Sequence, residues 1–300
     1  MEPGAPSSAG PMSVAPSDIR LAMLADDVTG ACDAGVQFAR RGAATRVYFE
    51  LPFDLPRGRA IAGVSVIVHH SRGDAPEEAA SKVEQACDWI AASGANLCYK
   101  KIDSTLKGNV GAELEAIRNK LPDRLILVCP AFPEMDRILL DGWLRVPSVE
   151  AIEPIHLGSL LTGQGAARLT QICQPEPGVN HALVDRIRQS QAAGARIIAI
   201  DAVSEDHLRA IAEAAGQIVP QPLLVGSAGL AAAWSEFLLR GAAAEAACRV
   251  PQVSSVSSAS VASAAGPVVL CIGSTNPVTC QQLQRLTDTE KVLTFSAQRD

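Results

Sequence analysis

The sequence predicts an α/β fold: a mostly parallel sheet with flanking helices, followed by an incomplete second α/β domain. Two observations carry this. Short runs rich in Val, Ile and Leu alternate along the chain with longer segments of helical period. The apolar runs are near-continuous, as expected of strands covered on both faces.

Strands are expected at Leu21–Ala25, Arg46–Phe49, Val64–Val68, Leu97–Lys100, Leu125–Cys129, Arg196–Ile200, Leu223–Val225 and Val268–Ile272. Between them, Val28, Cys32, Val36 and Ala39 recur near every fourth residue and predict a first helix with that face inward. The same spacing at Val83, Cys87 and Ile90, at Val110, Leu114, Ile117 and Leu121, and at Leu208, Ile211, Ala215 and Ile218 predicts three more. Residues 1–19 lack the basic and apolar segments of a secretory signal and read as a disordered extension. The uncharged, Ser/Ala-rich stretch "PQVSSVSSASVASAAG" marks a linker over 246–266. Residues 267–300 read as strand, glycine-containing turn, helix and the start of another strand. One such fragment cannot close a core, so it is expected to be the truncated start of a second domain.

The chain is 48% hydrophobic with a formal net charge of −6, and aromatics make up 4%. An acidic surface repels nucleic acid and anionic membranes, and few aromatics leave little for base stacking. No apolar run reaches the roughly 18 residues of a membrane span. The eight cysteines show no Cys-x-x-Cys pair and read as reduced core residues of a cytoplasmic protein.

Parallel sheets bind ligands beyond the carboxyl ends of their strands. The residues expected there are Asp26, Asp27 and Thr29; His69, His70, Ser71 and Arg72; Lys101, Asp103, Ser104, Thr105 and Lys107; "PAFPEMDR"; Asp201; and "GSAG". Carboxylates, cations and hydroxyls so placed suit a polar, anionic small molecule. Each has a plainer reading. An Asp after a strand can be a helix N-cap, although only one of the adjacent Asp26 and Asp27 can serve. "KKIDSTLKGN" can be a solvated loop or an anion cradle before a helix. "GSAG" can be a tight strand-to-helix turn. His69 and His70, adjacent on a strand, would point to opposite faces, which disfavours a metal pair. His156, His181 and His207 are expected at the surface. Adjacent acids do not make the Asp-x-Asp-x-Thr of dehalogenase-type phosphatases, and a receiver domain would need a lone Asp where His69–Arg72 stand. Gly-x-x-x-x-Gly-Lys-Ser/Thr, Gly-x-Gly-x-x-Gly and Gly-x-Ser-x-Gly are all absent.

"ADDVTGACDAG", "SRGDAPEEA", "KKIDSTLKGNVGAELEA", "CPAFPEMDR", "LLVGSAGLAAAW" and "CIGSTNPVT", in this order, resemble the four-carbon acid sugar kinases, which include threonate, erythronate and 3-oxo-tetronate kinases. The resemblance implies a sugar-acid-binding N-terminal domain over 20–245 and, at 267–300, the start of a C-terminal domain that binds ATP with Mg2+. It implies phosphorylation of a hydroxyl of a four-carbon sugar acid. Asp26 and Asp27 would accept from the hydroxyls, one acting as base. Arg72 and Lys101 would meet the substrate carboxylate, Asp103, Ser104 and Lys107 would line the pocket, and Ser274 would lie near ATP. The chain departs from the family in His69-His70 before Ser71, in Lys107 where arginine is usual, and in lacking the later glycine-rich nucleotide loops. The competing reading is a sugar-acid-binding domain without catalysis, working alone, as a homo-oligomer, or with a separate chain carrying the ATP domain.

Overall fold

The computed structural model describes residues 20–51, 63–148, 153–166, 169–172, 180–240 and 277–289. The strand expected at Val268–Ile272, the linker and Ser274 lie outside them. The chain divides into two compact units, residues 1–249 and 250–300.

In the first unit, β1 (Arg20–Ala25), β2 (Thr45–Tyr48), β3 (Gly63–Val68), β4 (Asn96–Lys101), β5 (Ile126–Cys129), β9 (Leu169–Ile172), β10 (Ile197–Ile200) and β11 (Leu223–Gly226) form one sheet. Their order is β2-β3-β1-β4-β11-β5-β10-β9, and every pairing between them is parallel. Every residue of β3, β5, β10 and β11 is buried, so the apolar runs do reflect cover on both faces. Helices α1 (Val28–Ala39), α7 (Ala228–Leu238), α6 (Glu205–Gly216) and α5 (Asn180–Ala192) pack in succession, and α2 (Pro76–Ser93), α3 (Val110–Lys120) and α4 (Leu157–Gly163) form a second series. The chain leaves β1 into the first series and leaves β3 and β4 into the second. The carboxyl ends of β1, β3 and β4 therefore bound a crevice where the connections part to opposite faces.

Helix α1 departs from its expected orientation. Gly30, Ala31, Ala34, Gly35 and Phe38 are its buried residues, whereas Cys32, Val36 and Ala39 are exposed. The helix lies close over β2 and β3, where a Cβ on Gly35 would sit 3.3 Å from Val66 and 3.4 Å from Thr45. Glycines and alanines permit that approach, with Phe38 buried at the far end of the same face while Val36 is turned out. Cys87, Cys98 and Cys129 are buried as expected. Burial pushes each of these three thiols up to about 12.

A second sheet was not legible in the apolar pattern. Strands β6 (Ile138–Leu140), β7 (Trp143–Arg145) and β8 (Ile155–His156) pair antiparallel. Asp141 and Gly142, both at positive φ, turn β6 into β7. Asp201, at the end of β10, accepts from the Asp141 amide (2.8 Å), the Gly142 amide (3.1 Å) and the Gln171 side chain (3.2 Å). This strand-end carboxylate is thus a structural clasp. Burial raises its pKa despite those donors. His207 is also a correction: it is buried on α6, and its Nδ1 accepts from the Val203 amide (3.1 Å) while Ser204 caps the helix.

In the second unit the described residues form one helix, α8 (Pro277–Thr289). Among the described residues no helix is long and apolar enough to cross a membrane.

Candidate functional site

The two aspartates after β1 do different work. Asp27 is the N-cap of α1, and its Oδ1 accepts from the Gly30 amide at 2.7 Å. Asp26 is buried, 3% exposed. Between them stands Arg72, from the turn after β3. Its Nε donates to Asp26 Oδ2 at 2.8 Å, Nη2 to Asp26 Oδ1 at 3.1 Å and Nη1 to Asp27 Oδ2 at 2.5 Å. A guanidinium fork therefore relieves the like-charge repulsion of adjacent carboxylates. Burial would lower the Arg72 pKa, but the Asp26 hydrogen bonds and the charges of Asp26, Asp27 and Asp103 outweigh it and raise it.

The Arg72 turn is held from several sides. The Ser71 amide donates to Asp26 O (3.2 Å). The Ser71 hydroxyl donates to Glu113, whose other oxygen pairs with Lys100 at 2.7 Å. Lys100 and Glu113 are both almost fully buried behind the site. Asn109 precedes α3 but leaves the helix without a side-chain cap; its amide donates instead to Ser71 O (3.0 Å) and Asp74 O (2.9 Å). Gly108 has φ +96°, and a Cβ there would come 3.3 Å from Asp26 Oδ2. Glycine is thus required both by conformation and by the carboxylate beside it.

His69, at the head of this turn, is buried with neither ring nitrogen hydrogen-bonded. Burial, then the charges of Lys100, His70 and Lys82, hold its pKa well below 6.5. In the unfolded chain the imidazole takes up a proton near pH 6.5, which the folded protein refuses. Stability is therefore complete above pH 6.5 and falls below it by about 1.4 kcal/mol per pH unit until the folded pKa is reached. His69→Leu should flatten the fall in denaturation midpoint between pH 6.5 and 5; an unchanged slope would show that other groups cause it.

Lys101, on the next residue of β4 from Lys100, projects into the cleft. It is buried, and burial lowers its pKa even though Asp26, Asp103, Asp33 and Asp27 act to raise it. Its ammonium donates to Ile102 O (3.0 Å) and forms no ion pair within 4.0 Å among the described residues. Asp103 closes a local turn: its Oδ2 accepts from the Thr105 amide (2.9 Å), the Thr105 hydroxyl and the Lys107 amide (3.4 Å). Burial would raise the Asp103 pKa, but those donors and Arg72 lower it. Two amides that an anion cradle would need are thereby occupied, and α3 begins only at Val110. "GSAG" is likewise a capped turn, with Ser227 accepting from the Gly229 amide (3.1 Å) and donating to Ala131 O (2.6 Å).

A cleft of about 140 Å3 is lined by Asp27, Thr29, Gly30, Asp33, Arg72, Lys101, Asp103, Ser104, Phe132, Met135, Arg137 and Ala228. The fold thus brings together Asp27, Arg72, Lys101, Asp103 and Ser104. Asp26 lies behind Arg72, outside the lining, and the Lys107 side chain is exposed and also outside it. Phe132, Met135 and Arg137 belong to "PAFPEMDR", expected at a strand end, but none had an individual role. Their sequence signals are that "PAFPEMDR" follows a strand and that it is one of the motifs carrying the family resemblance. Among the described residues no group of three or more His, Cys, Asp or Glu is placed to hold a metal ion.

The profile of the family described as "Sugar-binding N-terminal domain" matches residues 21–234. The chain belongs to the four-carbon acid sugar kinase family. It is 37% identical over 225 residues to a D-threonate kinase of Salmonella typhimurium, covering 71% of this chain and 52% of that protein. It is 33% identical over 279 residues to a D-threonate kinase of Bordetella bronchiseptica, covering 89% and 62%. A D-erythronate kinase of Heliobacterium modesticaldum is 34% identical over 212 residues, covering 64% and 47%. The chain therefore spans about half the length of these curated relatives, and somewhat more of the Bordetella enzyme. Among solved structures, a Bordetella bronchiseptica protein crystallised as a domain-swapped dimer with bound citrate is 31% identical, with a TM-score of 0.63 over 72% of this chain and 55% of that one. A Haemophilus influenzae protein of the same domain family is 25% identical with a TM-score of 0.64, over 73% and 56%.

Proposed function

We propose that this chain binds a four-carbon sugar acid of the threonate or erythronate type in the cleft at the ends of β1, β3 and β4, as the substrate half of an ATP-dependent kinase. The observation that carries this reading is the convergence of carboxylate and hydroxyl acceptors with cations on one small cleft. A sugar acid offers hydroxyls to donate and a carboxylate to receive, so it complements both sets. Asp27 lines the cleft and accepts from the substrate hydroxyls. It is the group placed to orient the attacking oxygen and take its proton. Asp26 acts through Arg72, fixing the fork that holds Asp27. Asp103 and Ser104 meet the remaining hydroxyls. ATP would supply the phosphoryl group. By resemblance the nucleotide site begins in 267–300, where only α8 is described, and the described acids form no Mg2+ cluster.

Calorimetric titration of the 300-residue chain with threonate, erythronate and Mg-ATP tests this. Micromolar to millimolar binding of a four-carbon acid is expected. Binding of the acid without ATP would favour the non-catalytic alternative for this chain. No heat with any four-carbon acid would refute the substrate class.

A further inference from the structure

We propose that Arg137, together with Lys101, is the receptor for the anionic group of the ligand. The inference rests on the sugar-acid reading of the cleft and assigns its charge recognition to a residue of the loop after β5 that had no individual role.

Three cations line the cleft: Arg72, Lys101 and Arg137. Arg72 is already committed. Its three nitrogens donate to Asp26 and Asp27 at 2.5–3.1 Å, and Asp103 stands 3.9 Å away. A ligand carboxylate would have to compete with two carboxylates already in contact, one of them buried. Arg137 is in the opposite condition. It forms no ion pair within 4.0 Å among the described residues, and Nη1 donates to Met135 O at 2.5 Å within its own loop. Its Nε is buried without a hydrogen-bond partner. That nitrogen is closed to solvent and ligand alike, so a ligand carboxylate would meet the outer, Nη end of the guanidinium.

The Arg137 backbone is fixed in advance. Phe132 and Arg137 exchange amide hydrogen bonds (2.7 and 3.0 Å) across the turn Pro133–Met135. Asp136, at φ 57°, accepts from the Ser148 amide. Such a clamp fixes the point from which the side chain reaches the cleft, so no backbone ordering is left for the ligand to impose. Lys101, also without an ion pair, supplies a second donor from the β4 wall. Asp27, Asp103 and Ser104 remain for the hydroxyls.

The test compares threonate with threonamide, its uncharged carboxamide, on the wild-type chain, Arg137→Gln and Arg137→Lys, with citrate as an independent polycarboxylate probe. The wild type should prefer threonate over threonamide by at least about tenfold. Arg137→Gln should lose most of that preference and weaken citrate by a similar factor. Arg137→Lys should recover part of both. Thermal melts of the variants within about 2 °C of wild type would confirm that the loop is intact. Full retention of the charge preference in Arg137→Gln overturns the inference. If the wild type binds citrate but no four-carbon acid, and Arg137→Gln loses citrate, the anion receptor stands and the sugar-acid reading falls. No binding of any carboxylate by the wild type overturns both.

Discussion

Glu113→Ala is expected to destabilise the first unit by about 3–5 kcal/mol, because it leaves the Lys100 ammonium buried with no carboxylate. The pair is 2.7 Å apart, with side chains 0% and 1% exposed. The substitution also strips the Ser71 hydroxyl of its acceptor, so the turn carrying Arg72 loosens. The melting midpoint should fall by about 10 °C or more, on the scale of a domain of this size. The double variant Lys100→Met/Glu113→Leu removes both charges and keeps the volume filled. It should recover much of the loss while leaving ligand affinity impaired, because Ser71 stays unanchored. That separation distinguishes a pair that positions the turn from one that merely fills the interior. If the double variant bound ligand as the wild type does, the positioning role would be wrong.

Arg72→Gln is expected to cost about 1–3 kcal/mol, the range for losing hydrogen bonds to charged groups, tempered by the 29% exposure of the Arg72 side chain. The larger effect should be on ligand binding. Asp26 and Asp27 would face each other without the fork between them, and Asp27 would no longer be held at the cleft. Affinity for the four-carbon acid should drop by about a hundredfold. Arg72→Lys should restore little, since an ammonium is a point charge and cannot bridge both Asp26 oxygens and Asp27 at once. Chemical denaturation and calorimetry on the same two variants check both statements. Wild-type affinity in Arg72→Lys would show that charge alone suffices.

Much of this was legible in the sequence. The apolar runs marked seven of the eight strands of the large sheet within a residue or two, because strands buried on both faces must be apolar throughout. The helices after β3, β4 and β10 also showed their buried faces, since Val83, Leu114 and Ile211 face the sheet with ordinary side chains. Short elements were hidden. Strands of two or three residues, such as Ile155–His156, are too brief for periodicity, and the Asp141-Gly142 turn before β7 was not read either.

What the sequence determined by itself was the class of fold and the location of its polar groups. Strand-ending positions are local facts, and parallel topology gathers them at one edge of the sheet. The tertiary structure decided which of those groups face the cleft. It turned α1 so that its small residues meet the sheet, set Asp26 behind Arg72 and Asp27 in front of it, placed Lys107 in solvent and brought Arg137 in from the loop after β5. It also made Asp201 and Ser227 structural partners of distant loops. These outcomes depend on how closely two elements approach and which donor lies opposite each acceptor. Such distances are set between residues remote in the chain, so no local pattern records them.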